Sequence, residues 1–345
     1  MANAAEIMRS VSVRDAIGSV LCHDITRIAP GEFKGPVFRK GHVVAEEDIP
    51  MLLNVGKEHL YVYERHPGIL HENDAAERIA LLAAGNNLRL TSPREGRINM
   101  IATHPGLLRV NTKTLAAVNS QGEISLATLH GMQEVGKDQP VAGVRITPLV
   151  IEEEKIASLE RFVSGPIVEV LPLRPLRVGI VTTGSEILHG RIKDSFGPVL
   201  REKSAQWGCS IIGQTLTGDD AAVISSAIAQ SIRDGAEMIW VTGGMSVDPD
   251  DRTPLAVRNT GATIVSYGAP TFPGAMFMLA YLGSVPILGL PGCVMYHKAS
   301  IFDLIAPRLL AGLTVSREDM AMLGHGGFCA SCPECRYPLC SFGKG

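Results

Sequence analysis

Two glycine-rich turns in the second half of the sequence carry hydroxyl and carboxyl groups that suit an anionic ligand. The first turn follows the apolar, β-branched run Leu176–Thr183 and contains Gly184, Ser185 and Glu186 directly after Thr183. Glycine at the end of a strand lets backbone N–H groups approach an anion closely. An ordinary connection between a strand and a helix is the alternative, because short glycine turns are common.

The second turn is richer in polar groups than the first. It contains Thr242, Gly243, Gly244, Met245 and Ser246, followed by Asp248, Asp250 and Asp251. Two glycines and two hydroxyls at the end of a strand suit a phosphate group or a pterin. The three carboxylates repel one another unless water or a divalent cation separates them, so a solvated acidic loop is the alternative.

Further candidates lie at other strand ends and helix starts: Asp194, Ser195, Asp219, Asp220, Pro291 and Gly292. An aspartate before a helix can accept hydrogen bonds from the free N–H groups of the first turn. Capping alone therefore explains at least one of Asp219 and Asp220. Both also follow a predicted strand, as Pro291 and Gly292 do, and so belong to the same predicted edge as the two glycine turns.

The elements around these residues alternate between apolar runs and helical segments. The predicted strands are Leu176–Thr183, Cys209–Thr217, Glu237–Thr242, Ala262–Tyr267 and Val285–Leu290. The predicted helices run from Asp194 to Gln206, from Asp219 or Asp220 to Gly235, over Thr253–Asn259 and over Met295–Leu310. This order is typical of an α/β domain with a doubly wound, mainly parallel sheet, in which ligands bind beyond the carboxyl ends of the strands.

The first half of the chain predicts a mixed α+β region of two small lobes. Its predicted strands are Val20–Ile25, Val37–Val44, His59–Tyr63, Ile98–Thr103 and Val141–Val150, and its predicted helices are Glu46–Asn54, Glu72–Ala84 and Glu152–Val163. Pro166, Pro172 and Pro175 predict a stiff linker. We therefore expect a mixed region over 1–165, the α/β domain over 166–313 and a cysteine-rich tail over 314–345.

Charged residues of the first half have structural and functional interpretations. Lys34, Arg39 and Lys40 either supply cations to an anion-binding site or, as we favour, belong to a solvated hairpin. Glu72 and Asp74 fit the acidic first turn of a helix better than a metal site.

Four of the seven cysteines are clustered near the end of the sequence. Cys329, Cys332 and Cys335 are separated by two residues each, and Cys340 follows after four more. This spacing is one residue longer than the ferredoxin run C-x₂-C-x₂-C-x₃-C, and it also suits four-coordinate zinc. In a reducing compartment it indicates a metal site rather than disulfides. Zinc, an iron–sulfur cluster and a flexible tail without metal remain the alternatives.

Composition and charge exclude several classes of partner. The chain has 345 residues and a net charge of −3, from 32 basic and 35 acidic side chains, so it lacks the basic surface of a nucleic-acid-binding protein. Aromatic residues make up only 5%, which disfavours a base-stacking surface. No apolar run is long enough to span a membrane, and the first residues lack the apolar core of a signal peptide. We therefore expect a cytoplasmic protein.

The segment from Leu176 to Leu313 resembles the molybdopterin-binding domain. The resemblance is carried by TTGSEI, the paired aspartates, TGGMSVDPDD and LPG, in this order. Molybdopterin adenylyltransferases, molybdopterin molybdenumtransferases and competence-damage-protein-like hydrolases share this domain. The resemblance implies that the turn Thr242–Ser246 holds the phosphate of molybdopterin. It also implies a Mg²⁺-assisted acidic site, whose residues would be Glu186, Asp194, one of Asp219 and Asp220, and Asp251, with Asp250 matching the hydrolase branch.

The sequence departs from the molybdenumtransferases in three ways, one of which is that we do not expect their C-terminal β-domain in the residues that follow Leu313. Their N-terminal signature P-P-F-D-x-S-x-M-D-G-Y is missing, and their loop K-P-G-K-P reads Phe272-Pro273-Gly274-Ala275-Met276 here. Both lysines of that loop, which suit an oxyanion such as molybdate, are therefore absent. The N-terminal half resembles a subgroup of molybdopterin-binding proteins related to the transferases, with a cysteine-rich tail.

Three functions follow as hypotheses from the residues and the resemblance. The first is a Mg²⁺-dependent, molybdenumtransferase-like enzyme of late molybdenum-cofactor assembly that acts on molybdopterin or its adenylate. The second is a non-catalytic carrier or sensor of the pterin, which would hand the cofactor to an apo-molybdoenzyme. The third is a nucleotide pyrophosphatase of the competence-damage type. We expect a homo-oligomer in each case, because the acidic edge lacks cations of its own.

Overall fold

The computed structural model describes residues 9–29, 33–62, 67–246, 248–249 and 251–344, so the candidate residue Asp250 lies outside the described residues. The chain forms two compact units. The N-terminal unit comprises Met1–Thr103, Arg109–Leu129 and Lys137–Val170, and the C-terminal unit comprises His104–Leu108, His130–Gly136 and Leu171–Gly345.

Short strands and helices make up both units. The strands are β1 (Arg9–Ser12), β2 (Ile25–Ala29), β3 (Phe33–Phe38), β4 (His59–Val62), β5 (Ile69–His71), β6 (Leu88–Leu90), β7 (Arg97–Ala102), β8 (Gly106–Val110), β9 (Ile124–Thr128), β10 (Glu134–Val135), β11 (Pro140–Ile146), β12 (Val150–Glu152), β13 (Val168–Leu171), β14 (Arg177–Thr183), β15 (Ser210–Thr217), β16 (Met238–Thr242), β17 (Thr263–Tyr267), β18 (Met278–Leu282) and β19 (Val285–Leu290). The helices are α1 (Ile49–Asn54), α2 (Glu72–Ala83), α3 (Thr112–Asn119), α4 (Glu153–Phe162), α5 (Ser185–Leu188), α6 (Phe196–Gln206), α7 (Ala221–Arg233), α8 (Thr253–Asn259), α9 (Ile301–Leu310) and α10 (Arg317–Met322).

The largest sheet of the N-terminal unit is antiparallel, with the strand order β6-β7-β11-β9. Helix α2 packs against β7 and β11 because Ala76, Ile79, Ala80 and Ala83 recur on one buried face at helical spacing. The helix begins where Nδ1 of His71 accepts a hydrogen bond from the backbone N–H of Asn73, at 3.1 Å.

Several elements of this unit differ from their predictions. The predicted strand Val37–Val44 lies earlier, as β3, and α3 and β9 were not predicted at all. The predicted linker after Pro166 contains strand β13, whose Val168 and Val170 are fully buried. Glu169 between them is also buried, and it forms an ion pair with Arg109. This segment is therefore a strand, because its alternating valines supply apolar surface to the core.

The C-terminal unit contains an α/β sheet with the strand order β15-β14-β16-β19-β18-β17. The first four strands pair in parallel, and β19, β18 and β17 pair antiparallel. Three of its five strand pairings are thus parallel, as the sequence predicted, and the two antiparallel ones make the sheet mixed. The antiparallel pairings arise from β18, an unpredicted strand that returns through a tight turn at Gly283, where φ is +59°.

Both faces of this sheet are covered by helices. Along β16, Met238 and Trp240 point into a core built with α6 and α9, while Ile239 and Val241 point into a second core built with α7 and α8. All four side chains are fully buried. Burial on both faces explains why the strand is a continuous apolar run rather than an alternating one.

Helix α9 is shorter than the predicted helix Met295–Leu310. A short 3₁₀ turn covers Gly292–Met295, and α9 begins only at Ile301. Ser300 and Asp303 form a capping box there. The side chain of Ser300 accepts a hydrogen bond from the backbone of the first turn, and the side chain of Asp303 accepts one from the backbone N–H of Ser300. The box fixes the start of the helix, so the preceding residues form a loop. No helix within the described residues is long and apolar enough to cross a membrane.

Glu72 makes the stability of the N-terminal unit depend on pH. Burial raises the pKa of Glu72 to about 7, although the charges of Arg145 and Lys40 oppose the shift. Between the ordinary pKa of 4.5 and about 7, the folded state binds more protons than the unfolded state. The free energy of unfolding is therefore expected to fall as pH rises through this range, by up to about 3 kcal/mol.

A Glu72→Gln variant, measured by urea unfolding at about pH 5 and about pH 8, is expected to lose less stability over this range than the wild type. Glu77→Gln is the matched control, because Glu77 lies on the same helix but is exposed. Identical pH profiles for the wild type and both variants would contradict the assignment of the titration to Glu72.

Candidate functional site

Three neighbouring strands of the C-terminal sheet end at the same level. In the register of the sheet, Thr182 of β14 pairs with Thr242 of β16, and Thr242 pairs with Leu290 of β19. The residues that follow these strands are the three turns singled out in the sequence. Parallel pairing therefore brings the turns after Thr183, Thr242 and Leu290 to one edge.

The glycines of the second turn are required by the packing of the turn itself. Gly243 and Gly244 have φ angles of +85° and +54°, which disfavour any other residue. A Cβ atom on Gly243 would lie 2.3 Å from the backbone oxygen of Thr183. One on Gly244 would lie 2.8 Å from Oγ1 of Thr253, whose hydroxyl donates to the Gly243 carbonyl at 2.8 Å. Both glycines thus allow the turn to pack against its neighbours.

Asp251 orders the rest of this turn. Its Oδ2 accepts a hydrogen bond from the backbone N–H of Ser246 at 2.8 Å, and its own N–H donates to the carbonyl of Asp248 at 2.9 Å. The hydroxyl of Tyr267 donates to the carbonyl of Met245 at 3.1 Å. Burial and the negative charge of Asp251 raise the pKa of Tyr267, so that the phenol stays protonated and keeps this donor.

Asp219 and Asp220 have different structural roles. Oδ2 of Asp219 accepts hydrogen bonds from the backbone N–H and the hydroxyl of Ser185, at 3.0 and 2.7 Å. Oδ1 of Asp220 accepts from the N–H groups of Ala222 and Val223 and so caps α7. Asp219 therefore holds the first glycine turn, and Asp220 is the helix cap.

Asp194 caps helix α6. Its Oδ1 accepts from the N–H groups of Phe196 and Gly197, at 2.9 and 3.1 Å, and its Oδ2 accepts from Nε2 of Gln214 at 2.7 Å. The hydroxyl of Ser195 caps no N–H group of the helix.

The acidic residues do not gather into a metal site in the part of the chain that the structure describes. Within it, no group of three or more His, Cys, Asp or Glu side chains lies close enough to hold an ion. Glu186 lies beside the first turn, with a carboxylate oxygen 2.9 Å from where a Cβ on Gly184 would be. The described carboxylates therefore do not by themselves form a cradle for a resident magnesium ion.

A cavity of about 470 Å³ opens at the edge of the sheet beside the second and third turns. Its walls are Phe196, residues 243–246, Asp251, Phe272, residues 274–276 and residues 290–293. Asp251 supplies the one charge among these lining residues, and none of them is a cation. Apolar residues in its walls include Phe196, Phe272 and Met276, and Ser246 and the glycine backbone supply polar groups.

The structure brings together some predicted contact residues and separates others. Gly243, Gly244, Met245, Ser246, Pro291 and Gly292 line this cavity, whereas Thr183, Gly184 and Ser185 do not. The side chains of Thr183 and Thr242 are only 1% and 0% exposed, so they pack inside the sheet edge.

The loop Phe272–Met276 was noticed in the sequence only for its missing lysines, and in the structure it forms one wall of the cavity. The N–H of Phe272 donates to the carbonyl of Gly327 at 2.8 Å, and the N–H of Cys329 donates to the carbonyl of Phe272 at 2.8 Å. Gly274 packs so tightly that a Cβ there would lie 2.5 Å from Cβ of Ile301. The glycine and proline of the loop Phe272–Met276 were the signal in the sequence that could have identified it as part of the site.

The remaining candidates do not line this cavity. Cys329 and Cys340 are half-buried, and Cys332 and Cys335 are exposed. In the N-terminal unit, the ammonium group of Lys40 lies 2.9 Å from Nδ1 of His71. Burial lowers the pKa of His71, which favours the neutral ring that can accept this hydrogen bond.

The sequence matches known families in two segments. Residues 179–311 match a family described as "Probable molybdopterin binding domain", and residues 10–64 match a domain family of unknown function. The chain is 30% identical over 83 residues to the "Molybdenum cofactor biosynthesis bifunctional protein" of Synechococcus elongatus, covering 24% of this chain and 26% of that protein. It is 36% identical over 77 residues to a "CinA-like protein" of Mycobacterium leprae, covering 22% of this chain and 18% of that protein. The matches thus span about a quarter or less of these relatives.

Among solved structures, MoaB proteins of Thermus thermophilus and Pyrococcus furiosus align with this chain at 22% and 20% identity. The alignments cover 40% and 42% of this chain and 97% and 98% of those chains, with TM-scores of 0.34 and 0.35.

The close contact between Gly243 and Thr183 predicts the effect of a single methyl group. We expect Gly243→Ala to lower the free energy of unfolding by about 1 kcal/mol for the positive φ and by about 1–3 kcal/mol more for the overlap. Denaturant unfolding of the full chain measures both terms together.

Gly268→Ala measures the cost of the positive φ alone. Gly268 has a similar φ of +94°, but a Cβ there would meet no atom closer than 3.7 Å. Equal losses of stability in the two variants would show that the turn can relax away from Thr183.

Proposed function

We propose that residues 179–311, a domain of the molybdopterin-binding superfamily, bind molybdopterin in the cavity at the ends of β16 and β19. The observation that carries this proposal is the composition of the cavity walls. They include Gly243–Ser246 of the motif TGGMS and the whole turn LPG, two of the motifs that identify the superfamily in this sequence.

Free backbone donors suit the phosphate of the ligand. Within the described residues, the N–H groups of Gly244 and Met245 donate to no other group of the chain. Backbone N–H groups in a turn with positive φ angles form a concave site for anions, and they need no cationic side chain. The rings of Phe196 and Phe272 and the thioether of Met276 offer apolar surface to the pterin.

The role that we propose for this binding is in late molybdenum-cofactor assembly, as a Mg²⁺-dependent, molybdenumtransferase-like enzyme. Magnesium usually keeps several waters and binds through one or two carboxylates together with the phosphates of a substrate. The ion would therefore enter with the ligand rather than reside in the free protein. Asp251, the charged group of the cavity wall, is the carboxylate that would share it.

A carrier of the pterin is the second candidate, and one observation favours it. Asp194, Asp219, Asp220 and Asp251 each accept hydrogen bonds from backbone N–H groups, so a structural role accounts for every one of them. As a carrier, the protein would bind molybdopterin without turnover and deliver it to an apo-molybdoenzyme.

Filling the cavity tests the location of the site. A Cβ on Gly292 would approach no atom closer than Cε of Met295, at 4.0 Å, so Gly292→Leu is expected to fold. Because Gly292 lines the cavity, the new side chain should weaken molybdopterin binding at least about tenfold, which is about 1.4 kcal/mol. Anaerobic fluorescence titration with molybdopterin measures the affinity.

Gly165→Leu is the matched control for this experiment. Gly165 is exposed, a Cβ on it would meet nothing within 4 Å, and the residue belongs to the N-terminal unit, outside the cavity walls. Unchanged affinity in Gly292→Leu, or equal losses in both variants, would refute the proposed location.

Asp251→Asn separates the charge of Asp251 from its role in the turn. An asparagine oxygen can still accept the hydrogen bond from Ser246, so the turn should keep its shape. Without Mg²⁺, removal of a negative charge near an anion should leave the affinity for molybdopterin unchanged or raise it. Any gain in affinity or turnover that Mg²⁺ gives the wild type should disappear in the variant. An equal response to Mg²⁺ in both proteins would exclude Asp251 as the metal carboxylate.

Release of AMP from adenylylated molybdopterin distinguishes the enzyme from the carrier. The enzyme should release AMP only with Mg²⁺, the carrier should release none, and a general pyrophosphatase should also cleave ADP-ribose. Tight pterin binding without any release would establish the carrier.

A homo-oligomer is the quaternary state that we propose. Strand β15 is an edge strand of the sheet, and its Ile212 and Leu216 are 40% and 42% exposed. An exposed apolar edge is a ready template for pairing with another chain. Light scattering of the wild type should give at least a dimer at micromolar concentration, and Ile212→Lys should shift it toward the monomer. A monomeric wild type would contradict the proposal.

A further inference from the structure

The chain from Gly326 to Gly343 closes into a loop, here called the cysteine loop. The N–H of Gly343 donates to the carbonyl of Gly326 at 2.9 Å, which joins the two ends. The ammonium group of Lys344 donates to the carbonyl of Pro338. Phe342 is buried in the core of the C-terminal unit, and the hydroxyl of Tyr337 donates to the carbonyl of Asp303 at 3.0 Å. The loop is thus anchored at its base and along its second half.

All four cysteines of this loop line one cavity. The cavity has a volume of about 630 Å³, roughly that of twenty water molecules in the liquid. Cys329 and Cys340 lie at the base of the cavity, where they pack against the hydrophobic core, while Cys332 and Cys335 lie on the exposed side of the cavity. Four thiols that face a common space of this size point to a ligand larger than a single ion.

A single zinc ion does not fit this arrangement. With Zn–S distances of about 2.3 Å, tetrahedral ligation needs sulfur atoms roughly 3.8 Å apart. Over the described residues, no three potential ligands are close enough for one ion. In a [4Fe–4S] cluster each of the four thiolates binds a different iron, so the thiolate sulfur atoms lie further apart than around one ion.

The backbone of the loop is free to donate to sulfur atoms. In the described chain, no N–H group from Ala330 to Tyr337 donates a hydrogen bond to another group. Hydrogen bonds from the protein to the sulfurs are a principal means of stabilising iron–sulfur clusters and of setting their potentials.

The charges around the cavity suit an anion. Lys298 and Arg336 line it, with Glu334 as the one acidic residue among its lining residues. A [4Fe–4S] core with four cysteine thiolates carries a net negative charge, which two cations and the free N–H groups would offset.

We propose that the cysteine loop binds a [4Fe–4S] cluster through Cys329, Cys332, Cys335 and Cys340. The first three cysteines have the two-residue spacing of ferredoxins, and the cavity brings the fourth to the same space despite its longer gap. The four thiols lose their protons to solvent when they bind iron. This proposal is independent of pterin binding, since the cavity is formed by the cysteine loop and its neighbours.

The test is anaerobic reconstitution of the full-length protein. The protein is mixed with ferrous and ferric iron in equal amounts and with one sulfide per iron. A resting [4Fe–4S] cluster contains two ferrous irons, two ferric irons and four sulfides, so its assembly requires no further oxidant or reductant. We expect about four irons and about four sulfides per chain, a broad visible absorption band, and an electron paramagnetic resonance signal after reduction with dithionite.

Two variants test the ligands. Cys332→Ser and Cys335→Ser change exposed residues and should leave folding intact, as judged by circular dichroism. Each should lose most of the cluster absorption. Cys22→Ser is the matched control, because Cys22 lies in the other unit and a serine hydroxyl can still donate to the carbonyl of Tyr61. The control should bind the cluster as the wild type does.

Three results would overturn the proposal. They are tight binding of one zinc per chain with no retention of iron and sulfide, retention of no metal at all, and equal cluster content in the wild type and both loop variants. Metal analysis of the wild type alone is sufficient for the first two, so the proposal can fail even if a variant does not fold.

Discussion

Parallel pairing of β14, β16 and β19 is the constraint on which the candidate site depends. The pairing aligns Thr182, Thr242 and Leu290 in one row, so every turn that follows these strands emerges at the same edge. The pairing is stable because helices bury both faces of the strands, as the fully enclosed Trp240 shows. The turns themselves contain little apolar surface and rely on glycine, which lets Gly243 lie directly against Thr183.

Much of this arrangement could be predicted from the sequence, because its determinants are local. Strands β14, β16 and β19 are mainly apolar runs, and helix α7 follows from the aspartate that caps it. The antiparallel half of the sheet could not be predicted, because β18 is as apolar as a buried helix segment and only its partner β19 defines it. The predicted start of the last long helix at Met295 was wrong, because the capping box at Ser300 makes α9 begin at Ile301.

The roles of the acidic residues show a further limit of reasoning from sequence. Carboxylates near a glycine turn indicate a metal site when only their spacing is known. In the structure, Asp194 and Asp220 cap helices, and Asp219 and Asp251 hold turns, through hydrogen bonds with backbone N–H groups. An aspartate can either bind a metal ion or accept hydrogen bonds from backbone N–H groups, so the sequence alone cannot distinguish the two roles. The loop Phe272–Met276 became part of the site only through its three-dimensional position.

Phe272 forms part of the walls of two cavities, the one beside Gly243 and the one that the tail cysteines line. Its backbone is tied to the tail by two hydrogen bonds, one to the carbonyl of Gly327 and one from the N–H of Cys329. If an occupant of one cavity moves Phe272 and changes the affinity of the other, the second occupant must change the affinity of the first by the same factor.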